Sequence, residues 1–156
     1  MENKISKLLE EFEQARQKTR RQLEGIDLQM EIYPNWTVKE LLAHLAGWDD
    51  ATVVALQAHN QGETTPLLAL RGIDAYNTQT VGERAELGYE QIVGEWELVR
   101  EQLVAILHEL PLEQLSDRIV SPWGPMLSVE RLIRIMVEHE EEHAEVLEER
   151  RKTAGL

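Results

Sequence analysis

Apolar residues in this chain recur at steps of three and four, the spacing that places side chains on one face of an α-helix. The first such segment predicts an amphipathic helix over residues 2–24, which Gly25 ends. Its apolar positions are Ile5, Leu8, Leu9, Phe12, Ala15 and Leu23. A loop through Tyr33, Pro34 and Asn35 follows this helix.

A second helix is predicted over residues 37–60. Thr37 and Glu40 have the spacing of a capping box, in which the two residues hydrogen-bond each other's backbone. The apolar face continues through Leu41, Leu42, Leu45, Trp48, Val53 and Leu56. A glycine and a proline then predict a loop over residues 61–72.

The second half of the chain continues the helical pattern. It predicts a short helix over 73–86, a long helix over 89–110 and a last helix over 128–150 that Ser128 caps. The long connection between the last two helices contains the best candidate strand, residues 118–121, which is too short to predict a sheet.

Four long helices pack most simply as a bundle. The predicted fold class is therefore all-α, a four-helix bundle with one additional short helix between the second and third long helices. With 156 residues and 42% hydrophobic residues, the chain is expected to form a single domain, residues 1–156, with its own core.

The charge of the chain restricts its partners. Twenty-nine acidic residues against 16 basic ones give a formal net charge of −13. Nucleic-acid binding depends on Lys and Arg that neutralise phosphates, and anionic lipid repels an acidic surface in the same way. We therefore expect neither nucleic acid nor a membrane as a partner. The charged N-terminal segment does not resemble a signal peptide, and we expect a cytoplasmic protein.

The chain contains no cysteine. This excludes disulfides, thiolate metal ligands and a cysteine nucleophile, so histidine becomes the strongest remaining metal ligand.

Three histidines have a spacing that suits one metal site. His139 and His143 are four residues apart on one helix, which places both on the same face. His44 lies one turn before Trp48 on the apolar face of the second helix, so it is expected to point inward. Divalent ions accept three neutral imidazoles and keep a position open for a ligand.

Each of these histidines also has an alternative interpretation. His44 alone could be a hydrogen-bonded core residue, and the pair on the last helix could be solvated among glutamates. The two remaining histidines, His59 and His108, lie at or near helix ends and are interpreted as structural or surface residues.

His139-Glu140-Glu141-Glu142-His143 also has the H-E-x-x-H form of zinc proteases, in which Glu140 would be the general base. The extended form of that motif requires Gly and His where this chain has Val146 and Glu149. We interpret Glu140 as one of many glutamates on a surface and expect it to lie off the ligand face. A di-iron carboxylate site is also disfavoured, because Leu41 stands where its second glutamate is needed.

Two segments together resemble a known family. "NWTVKELLAHLAGWDD" resembles the second helix, and "SPWGPMLSVERLIRIMVEHEEEHAEVL" the last helix, of the DinB/YfiT-like superfamily of metalloenzymes. The segment "AYNTQTVGERAELGYEQIVGEWELVREQL" is similar to the branch that contains ClbS/DfsB-type proteins. The resemblance covers almost the whole chain.

The resemblance implies a divalent metal ion, nickel, zinc, iron or manganese, held by His44, His139 and His143. It implies a small-molecule substrate, a low-molecular-weight thiol such as mycothiol, bacillithiol or glutathione, and a homodimer. Four residues are candidates for the walls of the pocket, although each could equally be a core, surface or loop residue: Trp48, Tyr76, Asn77 and Trp123.

Two functions are therefore open at this point. The first is a metal-dependent transferase or hydrolase in which the metal acts as a Lewis acid on a small electrophile or thiol adduct. The alternative is a non-catalytic bundle that binds a metal or ligand in a stress response. The sequence identifies no general base and no substrate.

Overall fold

The computed structural model describes residues 3–155 and confirms the all-α bundle. Its five α-helices are α1 Lys4–Leu23, α2 Val38–Asn60, α3 Ile73–Glu83, α4 Tyr89–Glu109 and α5 Val129–Thr153. The short α3 lies between the second and third long helices, as predicted. The predicted first helix began at Glu2, which lies outside the described residues.

Local side-chain contacts fix where the long helices begin. Asn3 accepts a hydrogen bond from the backbone N–H of Ser6 at 2.9 Å. The Glu40 carboxylate accepts from both the backbone N–H and the hydroxyl of Thr37, each at 2.9 Å. Ser128 accepts from the N–H of Arg131 at 3.0 Å. These contacts satisfy N–H groups that the first turn of a helix leaves free.

The helices pack as two main pairs, α2 against α4 and α1 against α5. Their inward faces bury the residues of the predicted apolar stripes, including Leu8, Phe12, Leu41, Leu45, Leu56, Trp96, Leu103 and Leu132. Burying a leucine or phenylalanine side chain fully contributes about 1.5–3 kcal/mol. The core therefore holds α2 and α5, the helices that carry the three histidines, in fixed positions.

The expectation that the chain has no sheet is wrong. A small antiparallel hairpin lies between α4 and α5, formed by β1 Arg118–Val120 and β2 Met126–Ser128, with Ile119 opposite Leu127. Its strands have three residues each, and the ladder is stabilised by pairing across the turn and by burial of Ile119. The turn of this hairpin carries Trp123.

Among the helices of residues 3–155, none is both long enough and apolar enough to cross a membrane.

Candidate metal centre

The structure brings His44, His139 and His143 together, although His44 is about a hundred positions away in the chain. Nε2 of His44 lies 2.9 Å from Nε2 of His139, which in turn lies 3.0 Å from Nε2 of His143. One ligand atom from each ring lies within 4.8 Å of the other two. The α2 helix supplies the first ring, and two successive turns of α5 supply the pair.

These imidazoles are neutral near pH 7. Burial, and then the charges of the other two histidines, lowers the pKa of His44 to about 2. Burial and His139 lower the pKa of His143 to about 3. Burial also lowers the pKa of His139. A neutral imidazole keeps one nitrogen lone pair, which is the form that binds a metal.

The three nitrogens suit a shared cation better than they suit one another. Nε2 of His139 contacts two other Nε2 atoms, yet a neutral nitrogen offers either one N–H or one lone pair, so it satisfies only one neighbour well. A divalent ion with imidazole bonds of about 2.0–2.1 Å would satisfy all three lone pairs at once. The donor set therefore fits the metal that the sequence predicts.

Aromatic residues before α2 surround two of these rings. The hydroxyl of Tyr33 lies 2.7 Å from Nδ1 of His143, and the two rings meet edge to face. The ring of Trp36 packs against His44 with 5.1 Å between centroids. Nδ1 of His44 is buried and has no hydrogen-bond partner among the described residues.

A cavity of about 280 Å³ opens onto His44 and His139. Its remaining walls are mostly apolar and are formed by Trp48, Ile73, Asn77, Trp123, Ile135 and Met136. Three of the four predicted wall residues therefore line this cavity. The fourth, Tyr76, is not among its lining residues.

The predicted wall residues also contact each other. The indole Nε1 of Trp48 donates to Oδ1 of Asn77 at 2.7 Å. Trp48 packs between Trp123 and Tyr76, with ring centroids 5.8 and 4.7 Å away. Tyr76 lies behind Trp48, and its hydroxyl donates to the carbonyl oxygen of Gly47 at 2.9 Å. Tyr76 thus supports the wall by joining α3 to α2.

The other two histidines lie apart from this centre, as predicted. Nε2 of His59 lies 2.9 Å from a carboxylate oxygen of Asp117, and His108 is exposed near the end of α4.

The interpretation of Glu140 as a surface residue is wrong. Its side chain is 1% exposed, and its carboxylate accepts from Nε of Arg16 at 3.0 Å and from Nη2 of Arg100 at 3.3 Å. Both arginines also contact Asp49, so four charged residues from α1, α2, α4 and α5 form one buried network. Burial alone would raise the pKa of Glu140, but Arg100 and Arg16 hold it below its usual value.

Glu140 does lie off the ligand face, as expected, because successive helix residues are rotated by about 100°. A carboxylate bound to two arginines inside the bundle is not placed to act as the base of a zinc protease. Neither this network nor the roles of Tyr33 and Trp36 were predicted from the sequence. The possible signals were an arginine at a core position of the first helix and aromatic residues in the turn before the second.

Comparisons with known proteins support the same fold. A family model described as the DinB superfamily matches residues 11–147. Two crystal structures of a mycothiol-dependent maleylpyruvate isomerase, one of them a mutant, superpose with a TM-score of 0.73 at 20% identity, covering 90% of this chain and 60% of theirs. This chain therefore spans about three-fifths of the length of the isomerase.

A second protein is similar over nearly its whole length. The crystal structure of the colibactin self-resistance protein ClbS in complex with a dsDNA has a TM-score of 0.79 at 16% identity, covering 95% of each chain. At such low identity these similarities show the fold alone. Among curated protein sequences, none matches this chain.

Proposed function

Because this chain belongs to the DinB superfamily, we propose that it is a metal-dependent enzyme, a transferase or hydrolase that acts on a small electrophile or a thiol adduct. The supporting observation is the convergence of three imidazole nitrogens beside an apolar cavity. His44, His139 and His143 would hold one divalent ion, nickel, zinc, iron or manganese. The proposed location is the cytoplasm.

A divalent ion bound there would supply Lewis acidity, which polarises an electrophile or makes a thiol easier to deprotonate. The chain itself supplies the ligands and the walls. An indole N–H can only donate, so the contact with Trp48 fixes which way the amide of Asn77 faces. The oxygen of Asn77 faces Trp48, and its amide nitrogen faces away from Trp48. Apolar walls limit the access of water, and this strengthens electrostatic interactions in the cavity.

The size of the cavity indicates the substrate class. Its volume of about 280 Å³ lies just below the roughly 300–1,000 Å³ that ligand pockets occupy. The part of the substrate that enters this cavity is therefore expected to be small. A low-molecular-weight thiol is the proposed co-substrate, and the similarity to a mycothiol-dependent isomerase supports it.

A second candidate is a bundle that binds a metal or ligand without catalysis in a stress response. The lining of the cavity favours it, because the polar side chains among the lining residues are two histidines and one amide. A carboxylate that could act as a general base is not among them. The absence of turnover in a protein that binds metal tightly would select this candidate.

The proposed partners are a small molecule and a second copy of the chain. A homodimer predicts a light-scattering mass near twice 18.0 kDa at micromolar concentration, and a mass near 18.0 kDa would contradict it. We propose that nucleic acid is not a partner, since the net charge of −13 opposes phosphate binding.

Metal content tests the centre directly. The protein is exposed to nickel, zinc, manganese and ferrous iron, passed through a desalting column and analysed by mass spectrometry. Wild type should retain about one ion per chain, whereas His44→Ala and His143→Ala should retain much less, because only two imidazoles remain. His108→Ala is the matched control, since this histidine is exposed and its loss should change nothing. Equal metal content in all four proteins would contradict the centre.

Activity then tests the enzyme. Metal-loaded wild type is incubated with mycothiol, bacillithiol or glutathione and a small electrophile such as monobromobimane, and the thiol adduct is quantified by chromatography. Adduct formation should exceed that of metal-free protein and of His143→Ala. If all three proteins give the uncatalysed rate with every thiol and electrophile tried, the binding protein is the better assignment.

A further inference from the structure

We propose that Tyr33 is a positioning residue of the three-histidine centre. Its hydroxyl oxygen accepts a hydrogen bond from Nδ1 of His143 and thereby keeps the lone pair of Nε2 directed at the metal. This inference rests on the proposed function, since it concerns how the same centre holds its ion.

The contact has the geometry that this role requires. The two atoms are 2.7 Å apart, and the rings are inclined at 84° with 5.5 Å between centroids. Nε2 of His143 is the atom that faces His139. An imidazole that binds a metal through Nε2 carries its proton on Nδ1, which can then only donate. Tyr33 must therefore accept, and a phenol oxygen does so while keeping its own proton.

The phenol of Tyr33 is uncharged near pH 7, because the ordinary pKa of tyrosine is about 10. A neutral hydroxyl adds no charge to the centre, so the contact selects one tautomer and one orientation of the ring of His143. Because the tautomer and the ring orientation are already fixed before the ion binds, less free energy is lost in ordering His143 on binding.

A tight turn holds Tyr33 in place. The N–H of Trp36 donates to the carbonyl of Tyr33 at 2.9 Å, Pro34 occupies the second turn position, and Asn35 has a φ of 69°. This is the pattern of a type II turn, in which proline fixes the second residue and asparagine tolerates the positive φ of the third. The Glu31 carboxylate accepts from the N–H of Asn35 at 2.8 Å.

The same turn is attached to the helix that carries His143. Nε of Arg150, two turns further along α5, donates to the carbonyl of Ile32 at 3.0 Å. The hydroxyl of Tyr33 and the ring of His143 therefore belong to one hydrogen-bonded unit. His44 differs, because its Nδ1 has no hydrogen-bond partner among the described residues and its ring is held by packing against Trp36.

The test compares Tyr33→Phe with wild type, and Tyr89→Phe is the matched control. Tyr89 is also a partly buried tyrosine, but it lies at the first residue of α4. Zinc affinity is measured by competition with a chromogenic chelator. Partners of metal-bound histidines typically change affinity 10- to 100-fold, so Tyr33→Phe should weaken zinc binding at least about tenfold. Tyr89→Phe should stay within about twofold of wild type.

A spectroscopic measurement separates positioning from general destabilisation. In zinc-loaded, ¹⁵N-labelled wild type, the Nδ1–H of His143 should be visible and protected from exchange with solvent. In Tyr33→Phe the same proton should exchange faster, while the ring protons of His44 and His139 keep their shifts. If the variant does not fold, the wild-type spectrum alone tests the inference. Zinc bound to His143 through Nδ1, or fast solvent exchange of the Nδ1 proton of His143, overturns it.

The outcomes separate this inference from the proposed function. If Tyr33→Phe binds zinc as tightly as Tyr89→Phe, Tyr33 has no positioning role and the proposed enzyme is unaffected. If Tyr33→Phe loses affinity but no thiol reaction is found, the positioning role stands and the enzyme does not. If wild type binds none of zinc, nickel, manganese and ferrous iron, both are overturned.

Discussion

Arg16 donates from Nε to the carboxylate of Glu140 at 3.0 Å, and both side chains lie inside the bundle. Glu140 follows directly after His139, so a histidine of the candidate metal centre and a carboxylate of the buried network occupy adjacent positions on α5. The network therefore fixes the rotation of α5 about its axis, and with it the direction of the two histidines. The Glu of the H-E-x-x-H pattern thus has a structural role in this fold.

Replacing Glu140 with glutamine should separate stability from metal binding. Glu140→Gln leaves two buried arginines with one carboxylate fewer, and breaking a buried ion pair costs on the order of 3–5 kcal/mol. We expect a loss of unfolding free energy near the lower end of that range, measured by denaturant titration, because glutamine still accepts hydrogen bonds. Metal content of the folded variant should be nearly unchanged.

The exposed Glu141 provides the control. Glu141→Gln should leave the free energy of unfolding and the metal content unchanged. Peptide hydrolysis that metal-loaded wild type catalyses and that Glu140→Gln abolishes would contradict the purely structural role, because a zinc protease uses this glutamate as its general base.

The metal-free protein should lose stability as the pH falls below about 6.5, the ordinary pKa of histidine. In the folded state the pKa values of His44 and His143 are lowered to about 2 and about 3. Between those values and about 6.5 the unfolded chain binds more protons, so unfolding becomes easier as the pH decreases. Each histidine contributes a slope of up to about 1.4 kcal/mol per pH unit.

The measurement is the free energy of unfolding with chelator present, taken at several pH values from about 7 down to 5. His44→Gln should show a shallower dependence on pH than wild type, because the proton that His44 takes up on unfolding no longer contributes. Identical slopes for the two proteins would show that His44 titrates normally in the folded state.

Gly47→Ala should destabilise the bundle where α2 meets α3. A Cβ atom at this position would lie closer than 3.0 Å to three side-chain atoms of Thr80, which is itself buried. Overpacking of this kind costs about 1–3 kcal/mol. It should also move α3, which carries Asn77 in the cavity wall. Thermal unfolding measures the loss of stability.

Gly94→Ala is the matched control. Gly94 lies within α4, and a Cβ atom there meets nothing within 4 Å. Because alanine suits a helix interior better than glycine by roughly 0.5–1 kcal/mol, this variant should be more stable than wild type. Equal loss of stability in both variants would contradict the close contact of Gly47 with Thr80.

Double-stranded DNA should not bind this protein at physiological salt. ClbS has been crystallised with a dsDNA on a similar fold, so the comparison is direct. With a net charge of −13, fluorescence anisotropy of a labelled duplex should give no binding tighter than about 100 µM, the weak limit of non-specific association. ClbS serves as the positive control, and micromolar binding by this chain would contradict the charge argument.

The local pattern of the sequence was enough to predict the helices and the faces on which His44, His139 and His143 lie. Both depend on local periodicity, because residues four apart share a face whatever surrounds them. The spacing of His139 and His143 is therefore enough to pair them. The inward direction of His44 followed in the same way from its apolar neighbours. That these rings bind a metal stays a prediction.

Contacts between distant parts of the chain depend on how the helices pack, and the sequence did not predict them. The hairpin of β1 and β2 depends on pairing across a turn, which a three-residue strand does not show in its sequence. The charge of Glu140 suggested a surface position, yet arginines from two other helices allow it to be buried. Tyr33 reaches His143 across 110 positions of sequence. The environment of each of these residues depends on which helices pack against each other and in what orientation. Local periodicity shows which face of a helix is buried, but it does not show what that face packs against.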